Sequence, residues 1–119
     1  MINQKLHDEI MSMHAQICAA LSDPTRILLI YSLSEQPRSV GELVKMLDIN
    51  QPTVSRHLQY LRNRGLVAAN SEKLNVFYSV VDPRIVQALD LLRAVLADNL
   101  THHSNLADNV DILKNNGDL

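Results

Sequence analysis

Apolar residues recur near the start of the chain at Ile2, Leu6, Ile10, Met13, Ile17 and Leu21, at intervals of three and four. That spacing draws one stripe along a helix, and the stripe needs a surface to cover it. Ser22-Asp23-Pro24 follows with capping chemistry. A side-chain oxygen there accepts from free N–H groups, and the proline ring suits a first helical turn, where its missing N–H has no acceptor to lose. From Thr25 to about Leu33 the pattern changes, because Ile27, Leu28, Leu29, Ile30 and Leu33 leave little of the circumference polar. A helix of that kind belongs inside a core.

Gln36-Pro37-Arg38 interrupts the pattern, and Ser39-Val40-Gly41-Glu42 then spells a capping box, in which hydroxyl and carboxylate satisfy each other's backbone donors. A short helix to about Leu47 is predicted. Asp48-Ile49-Asn50 makes a turn, and Asn50 caps a second helix that runs from Gln51 through Arg64 and stops at Gly65. Two short helices joined in this way are a helix-turn-helix. Beyond Gly65 the period shortens: Leu66 to Asn70 and Asn75 to Val80 favour strands, with Ser71-Glu72-Lys73 between them. Asp82-Pro83 opens a last helix with apolar positions at Val86, Leu89, Leu92, Leu96 and Leu100. The expected fold is mostly α with a small β-hairpin, a winged helix-turn-helix over residues 1–105, followed by an acidic, flexible tail over 106–119.

The second helix of the pair divides by face. Val54, Leu58 and Leu61 lie at i, i+4 and i+7 and pack inward, which leaves Gln51, Thr53, Ser55, Arg56 and Gln59 outside. Hydroxyls and amides near the start of such a helix reach base edges in a major groove, and Arg56 suits guanine or phosphate. Arg62 adds a further cation, and the hairpin offers Lys73 and Asn75 to flanking backbone or minor groove. A polar face with a few arginines is more often plain solvated surface. The capped helix pair followed by a hairpin is what turns the reading toward DNA.

Composition constrains this picture. A chain of 119 residues with 46% hydrophobic residues, three glycines and four prolines makes one modest domain and is not disordered. One cysteine forms no intrachain disulfide, and the first twenty residues interleave Lys5, His7, Asp8, Glu9 and His14 with apolar ones, so a cytoplasmic protein with no leader and no membrane span is expected. No Gly-rich phosphate loop, activated nucleophile or paired-carboxylate motif is present, which argues against an enzyme. The net charge of −2 argues against nucleic acid until it is partitioned. Between Gln51 and Asn75 four basic residues stand against one acidic, a balance of +3, and the rest of the chain carries −5.

The runs Ala20-Leu21-Ser22-Asp23-Pro24-Thr25-Arg26 and Gln51-Pro52-Thr53-Val54-Ser55-Arg56-His57-Leu58, then Leu61 to Val67 and Val76-Phe77-Tyr78-Ser79-Val80, resemble the ArsR/SmtB family of winged-helix repressors. The resemblance covers about residues 15–100. It implies a homodimer formed by the first and last helices, bound to an inverted repeat in double-stranded operator DNA and released by an inducer. It also places Thr53, Ser55, Arg56 and His57 on the recognition helix. The apolar stripes of the terminal helices, larger than a small core needs, agree with dimerisation. The alternative is a protein-interaction module that keeps the scaffold without an inducer site.

The family's sensing sites are absent in their usual form. Where the resemblance calls for Cys-x-Cys after Glu42-Leu43, the chain has Val44, Lys45 and Met46. Where it calls for Asp-x-His and a later pair of ligands, the chain has Asp82-Pro83-Arg84, Val95 and Asp98, a poor zinc set with a cation inside it. No cofactor is assigned, and an inducer metal ion is the candidate. The nearest donors are Asp98, His102 and His103, which read more readily as a solvated helix end; His7 and His14, seven apart on the first helix, read so still more. Cys18 reads as a small buried hydrophobe or as a redox sensor bridging two subunits.

Overall fold

The computed structural model describes the backbone of residues 1–114 and the side chains of residues 1–101. The order is α1 (Gln4–Met13), a π-helical turn (His14–Cys18), a 3-10 turn (Ala20–Ser22), α2 (Pro24–Glu35), α3 (Val40–Leu47), α4 (Gln51–Asn63), β1 (Val67–Glu72), β2 (Asn75–Val80) and α5 (Arg84–Lys114). It is the mostly α architecture with a two-stranded antiparallel hairpin that the sequence predicts. Met1–Pro83 form one compact unit, and α5 begins a second.

The single leading helix predicted from the stripe is divided. The Ala19 N–H donates to the His14 carbonyl at 3.0 Å, five residues back, so the turn widens. The chain then tightens, and the Ser22 N–H donates to the Ala19 carbonyl at 3.3 Å. Residues 1–18 are all exposed, so Ile2, Leu6, Ile10, Met13 and Ile17 form an open apolar face.

Asp23 caps α2 by accepting from Thr25 N at 2.8 Å and Arg26 N at 3.4 Å, with Pro24 in the first turn. The helix runs two residues past the predicted end, to Glu35. Pro37 disfavours helical geometry only at the residue before it, and Gln36 is accordingly extended. In the capping box of α3, Glu42 N donates to Ser39 Oγ at 3.2 Å and Ser39 N to Glu42 Oε1 at 3.0 Å. Asp48 takes the left-handed conformation at the end of α3, Asn50 caps α4, and Gly65 turns the chain after it at φ 75°.

Leu29, Ile30 and Leu33 of α2, Leu43 of α3, and Val54, Leu58 and Leu61 of α4 are buried together with Leu66 and Val67 at the start of the hairpin. Each fully buried leucine contributes roughly 1.5–3 kcal/mol relative to exposure. This core fixes which side of α4 faces out.

β1 pairs with β2 from Val67↔Val80 to Glu72↔Asn75. Ser71 and Glu72 therefore belong to the strand, and the turn is only Lys73-Leu74, where the sequence suggests a break at Asn70. Near the tip both faces of the ribbon are solvated, so polar side chains do not end the ladder. The base of the ribbon gains a third partner, since Arg38 and Tyr78 exchange backbone hydrogen bonds.

Taken by itself, α5 is helical through Lys114, so the expected boundary between residues 105 and 106 falls within it. Leu91, Leu92, Val95, Leu96 and Leu100 are exposed along it. Among the described residues no helix is long and apolar enough to cross a membrane.

Candidate nucleic-acid interface

The α4 helix is anchored by three side chains with no exposed surface, Val54, Leu58 and Leu61. Their spacing turns Gln51, Arg56 and Gln59 to solvent, with Thr53 and Ser55 half-buried at the margin of the same helix. The outer face is tied along its length. Gln51 Nε2 donates to Ser55 Oγ at 3.0 Å, and Gln59 Nε2 donates to Asn63 Oδ1 at 2.8 Å. These pairs one turn apart hold amides and hydroxyls ready on one surface. Asn50 closes the first turn of α4, accepting from Thr53 N at 2.9 Å through its side chain and from Val54 N at 3.1 Å through its carbonyl. Arg62 is exposed near the helix end.

The predicted wing residues stand on the hairpin tip. Lys73 and Asn75 are exposed, and Lys73 holds φ 57°, a conformation that ordinary residues adopt at a cost. Leu74 beside it is 99% exposed, an apolar residue at the tip that the alternating pattern does not single out.

His57 differs from the other predicted contacts. It is half-buried, and its Nδ1 lies 3.2 Å from Arg26 Nη1. A guanidinium has only donors, so Nδ1 is the acceptor and carries no proton. The imidazole thus belongs at least in part to the contact between α2 and α4. Sequence reasoning assigned no role to three further residues there. Arg26 Cζ sits 4.1 Å from the centroid of the Tyr60 ring, and Arg64 Cζ sits 3.7 Å from the same centroid. The available signal was the spacing of His57, Tyr60 and Arg64, at three and four on one helix. Arg64 Nε is buried without a hydrogen-bond partner among the described residues, and the aromatic face offsets part of that desolvation.

Asp23 lies beside this cluster. Desolvation pushes its carboxyl up, but the Thr25 and Arg26 N–H groups, with the positive charge of Arg26, outweigh it and hold the group below the usual carboxylate value.

Among the described residues no three His, Cys, Asp or Glu side chains come together to hold a metal ion. The side chains of His102 and His103 lie outside the described residues, so the candidate set with Asp98 does too. Cys18 is exposed in the π-helical turn of this single chain, which differs from the buried reading.

Residues 23–69 match the bacterial regulatory protein, arsR family. The chain is 39% identical over 85 residues to the "Probable mercury resistance operon repressor" of Streptomyces lividans, which covers 71% of this chain and 68% of that protein. It is also similar to the crystal structure of M. tuberculosis Rv0081, with 32% identity, a TM-score of 0.72, and coverage of 80% of this chain and 96% of that one. The homodimeric winged helix-turn-helix DNA-binding domain from Mycobacterium bovis shares the fold, with 24% identity, a TM-score of 0.72, and coverage of 86% and 94%.

Proposed function

Since the chain belongs to the arsR family of bacterial regulatory proteins, we propose that it is a homodimeric repressor that reads an inverted repeat in operator DNA through α4. The observation that carries this reading is the division of α4. One face is locked into the core by Val54, Leu58 and Leu61, and the opposite face presents Gln51, Ser55, Arg56 and Gln59. In a dimer two such helices enter successive major grooves about 34 Å apart.

The roles divide by chemistry. Gln51, Thr53 and Ser55 near the start of the helix reach base edges, and Arg56 takes guanine in bidentate fashion. Arg62, Lys73 and Asn75 contact phosphate or the flanking minor groove and set register. The exposed apolar faces of α1 and α5 supply the dimer contact. Release requires an inducer that binds the free form more tightly than the DNA-bound form. Divalent metal ions are its first probe, in wild type and in His102→Ala/His103→Ala.

Fluorescence anisotropy on the promoter fragment upstream of its own gene tests the reading. Wild type binds that duplex in preference to a scrambled one, and Ser55→Ala/Arg56→Ala loses the preference while sedimenting as a dimer. Equal affinity of wild type for both duplexes defeats the repressor assignment.

A further inference from the structure

The end of the N-terminal helical segment and helix α4 are far apart in sequence, yet one guanidinium joins them. Arg26 Nε donates to the Ala20 carbonyl at 2.7 Å and Nη2 to the Ala19 carbonyl at 3.2 Å. Its remaining nitrogen donates to His57 Nδ1 at 3.2 Å, and its plane covers Tyr60. We propose that Arg26 is a positioning residue for DNA recognition: it fixes α4 to the end of the N-terminal segment, so that the outer face of α4 follows the state of that segment.

The geometry fits no other basic residue. Carbonyls at the end of a helical segment run short of intrahelical donors, and the fork of Arg26 serves that of Ala20 together with that of Ala19, which Ser22 also reaches. A lysine in its place offers a point charge and cannot serve two carbonyls, a ring nitrogen and an aromatic face together. On the far side of the link stands a residue beside Arg56 and two positions from Ser55. On the near side stand the π-helical turn and α1, whose apolar face is open. Whatever covers that face loads the segment that Arg26 grips. The charged and titratable groups around His57 are Arg26 and the cap carboxylate of Asp23 from α2, with Tyr60 and the Arg64 stacked on it from its own helix.

The proposal rests on α4 being the DNA-reading helix, and its test separates the two claims. Wild type, Arg26→Lys, His57→Leu, the double variant and His57→Asn, whose Oδ1 replaces the Nδ1 acceptor, are compared in two ways. The first is amide hydrogen exchange of Val54 to Leu61 without DNA. The second is affinity for a duplex that wild type enriches from a random pool. Arg26→Lys and His57→Leu are each expected to weaken binding of the enriched duplex about tenfold, and the double variant also about tenfold, because both remove one coupled interaction. His57→Asn stays within about twofold of wild type, and exchange in α4 follows the same order. Multiplying effects in the double variant, or His57→Leu matching wild type in both measurements, overturns the proposal. If Arg26→Lys fails to fold, the contrast between His57→Leu and His57→Asn decides alone. Wild type that prefers no duplex defeats the repressor reading instead, and the exchange measurement, which needs no DNA, still decides whether the link holds α4.

Discussion

Arg38 N donates to the Tyr78 carbonyl at 3.0 Å and Tyr78 N to the Arg38 carbonyl at 2.8 Å, so the loop before α3 closes onto the base of the wing. The Arg38 side chain fastens the same loop to α2. Its Nε donates to the Ser32 carbonyl at 2.9 Å, and Nη2 meets Glu35 Oε1 at 2.9 Å. Removing the guanidinium takes a donor from the carbonyl of the buried Ser32. Arg38→Ala is therefore expected to lower stability by about 1–3 kcal/mol in urea denaturation. Glu35 is 66% exposed, so Glu35→Ala is expected to change stability by less than about 1 kcal/mol. Equal effects in the two variants contradict this assignment.

Tyr60 lies between two guanidinium groups, and the ring face rather than the hydroxyl is what they use. Tyr60→Phe is expected to keep most of the stability, while Tyr60→Leu loses about 1–2 kcal/mol, measured as the shift in urea midpoint. A larger effect in Tyr60→Phe than in Tyr60→Leu places the interaction on the hydroxyl.

Lys73 combines a charge with a left-handed backbone at the wing tip. Lys73→Gly suits that backbone, so the hairpin is expected to keep its stability within about 1 kcal/mol. DNA binding weakens on all sequences alike, and the slope of log affinity against log salt becomes shallower by about one for each phosphate that is no longer neutralised. An unchanged slope removes Lys73 from the interface.

The depressed carboxyl of Asp23 makes the cap of α2 sensitive to acid. A group whose folded value lies below its unfolded one stabilises the fold above the unfolded value, about 3.9, and loses that contribution as pH falls through the folded value. Asp23→Asn caps without titrating. Wild type is expected to melt higher than Asp23→Asn at neutral pH, with the difference closing below about pH 4. Melting curves that stay parallel down to about pH 2 contradict the cause given for the shift.

Legibility in the sequence followed range. Val54, Leu58 and Leu61, the Ser39/Glu42 box and Gly65 were readable because each depends on residues within one or two turns. The π-helical turn at His14–Cys18 was not, since spacings of three and four suit a widened turn as well as a regular one. Ser71 and Glu72 looked like loop because strand propensity describes half-buried surface, and the wing tip has none. His57 was placed on the correct helix, but its engagement with Arg26 spans 31 positions, and nothing local announces a contact made across the core. Tyr60 escapes notice for the same reason, since its partner Arg26 is in α2, and Arg64 gains its role only through the Tyr60 ring on which it stacks.

Repression through a dimer requires that two copies of α4 read two half-sites at a fixed spacing. Inserting about five base pairs, half a helical turn, between the half-sites of the enriched duplex probes that requirement, with an insertion of about ten as control. The half-turn insertion is expected to remove the preference over scrambled DNA, because it rotates one half-site to the far side of the helix, and the full-turn insertion to harm less. Affinity indifferent to both insertions, with the chain sedimenting as a monomer, contradicts the dimeric reading.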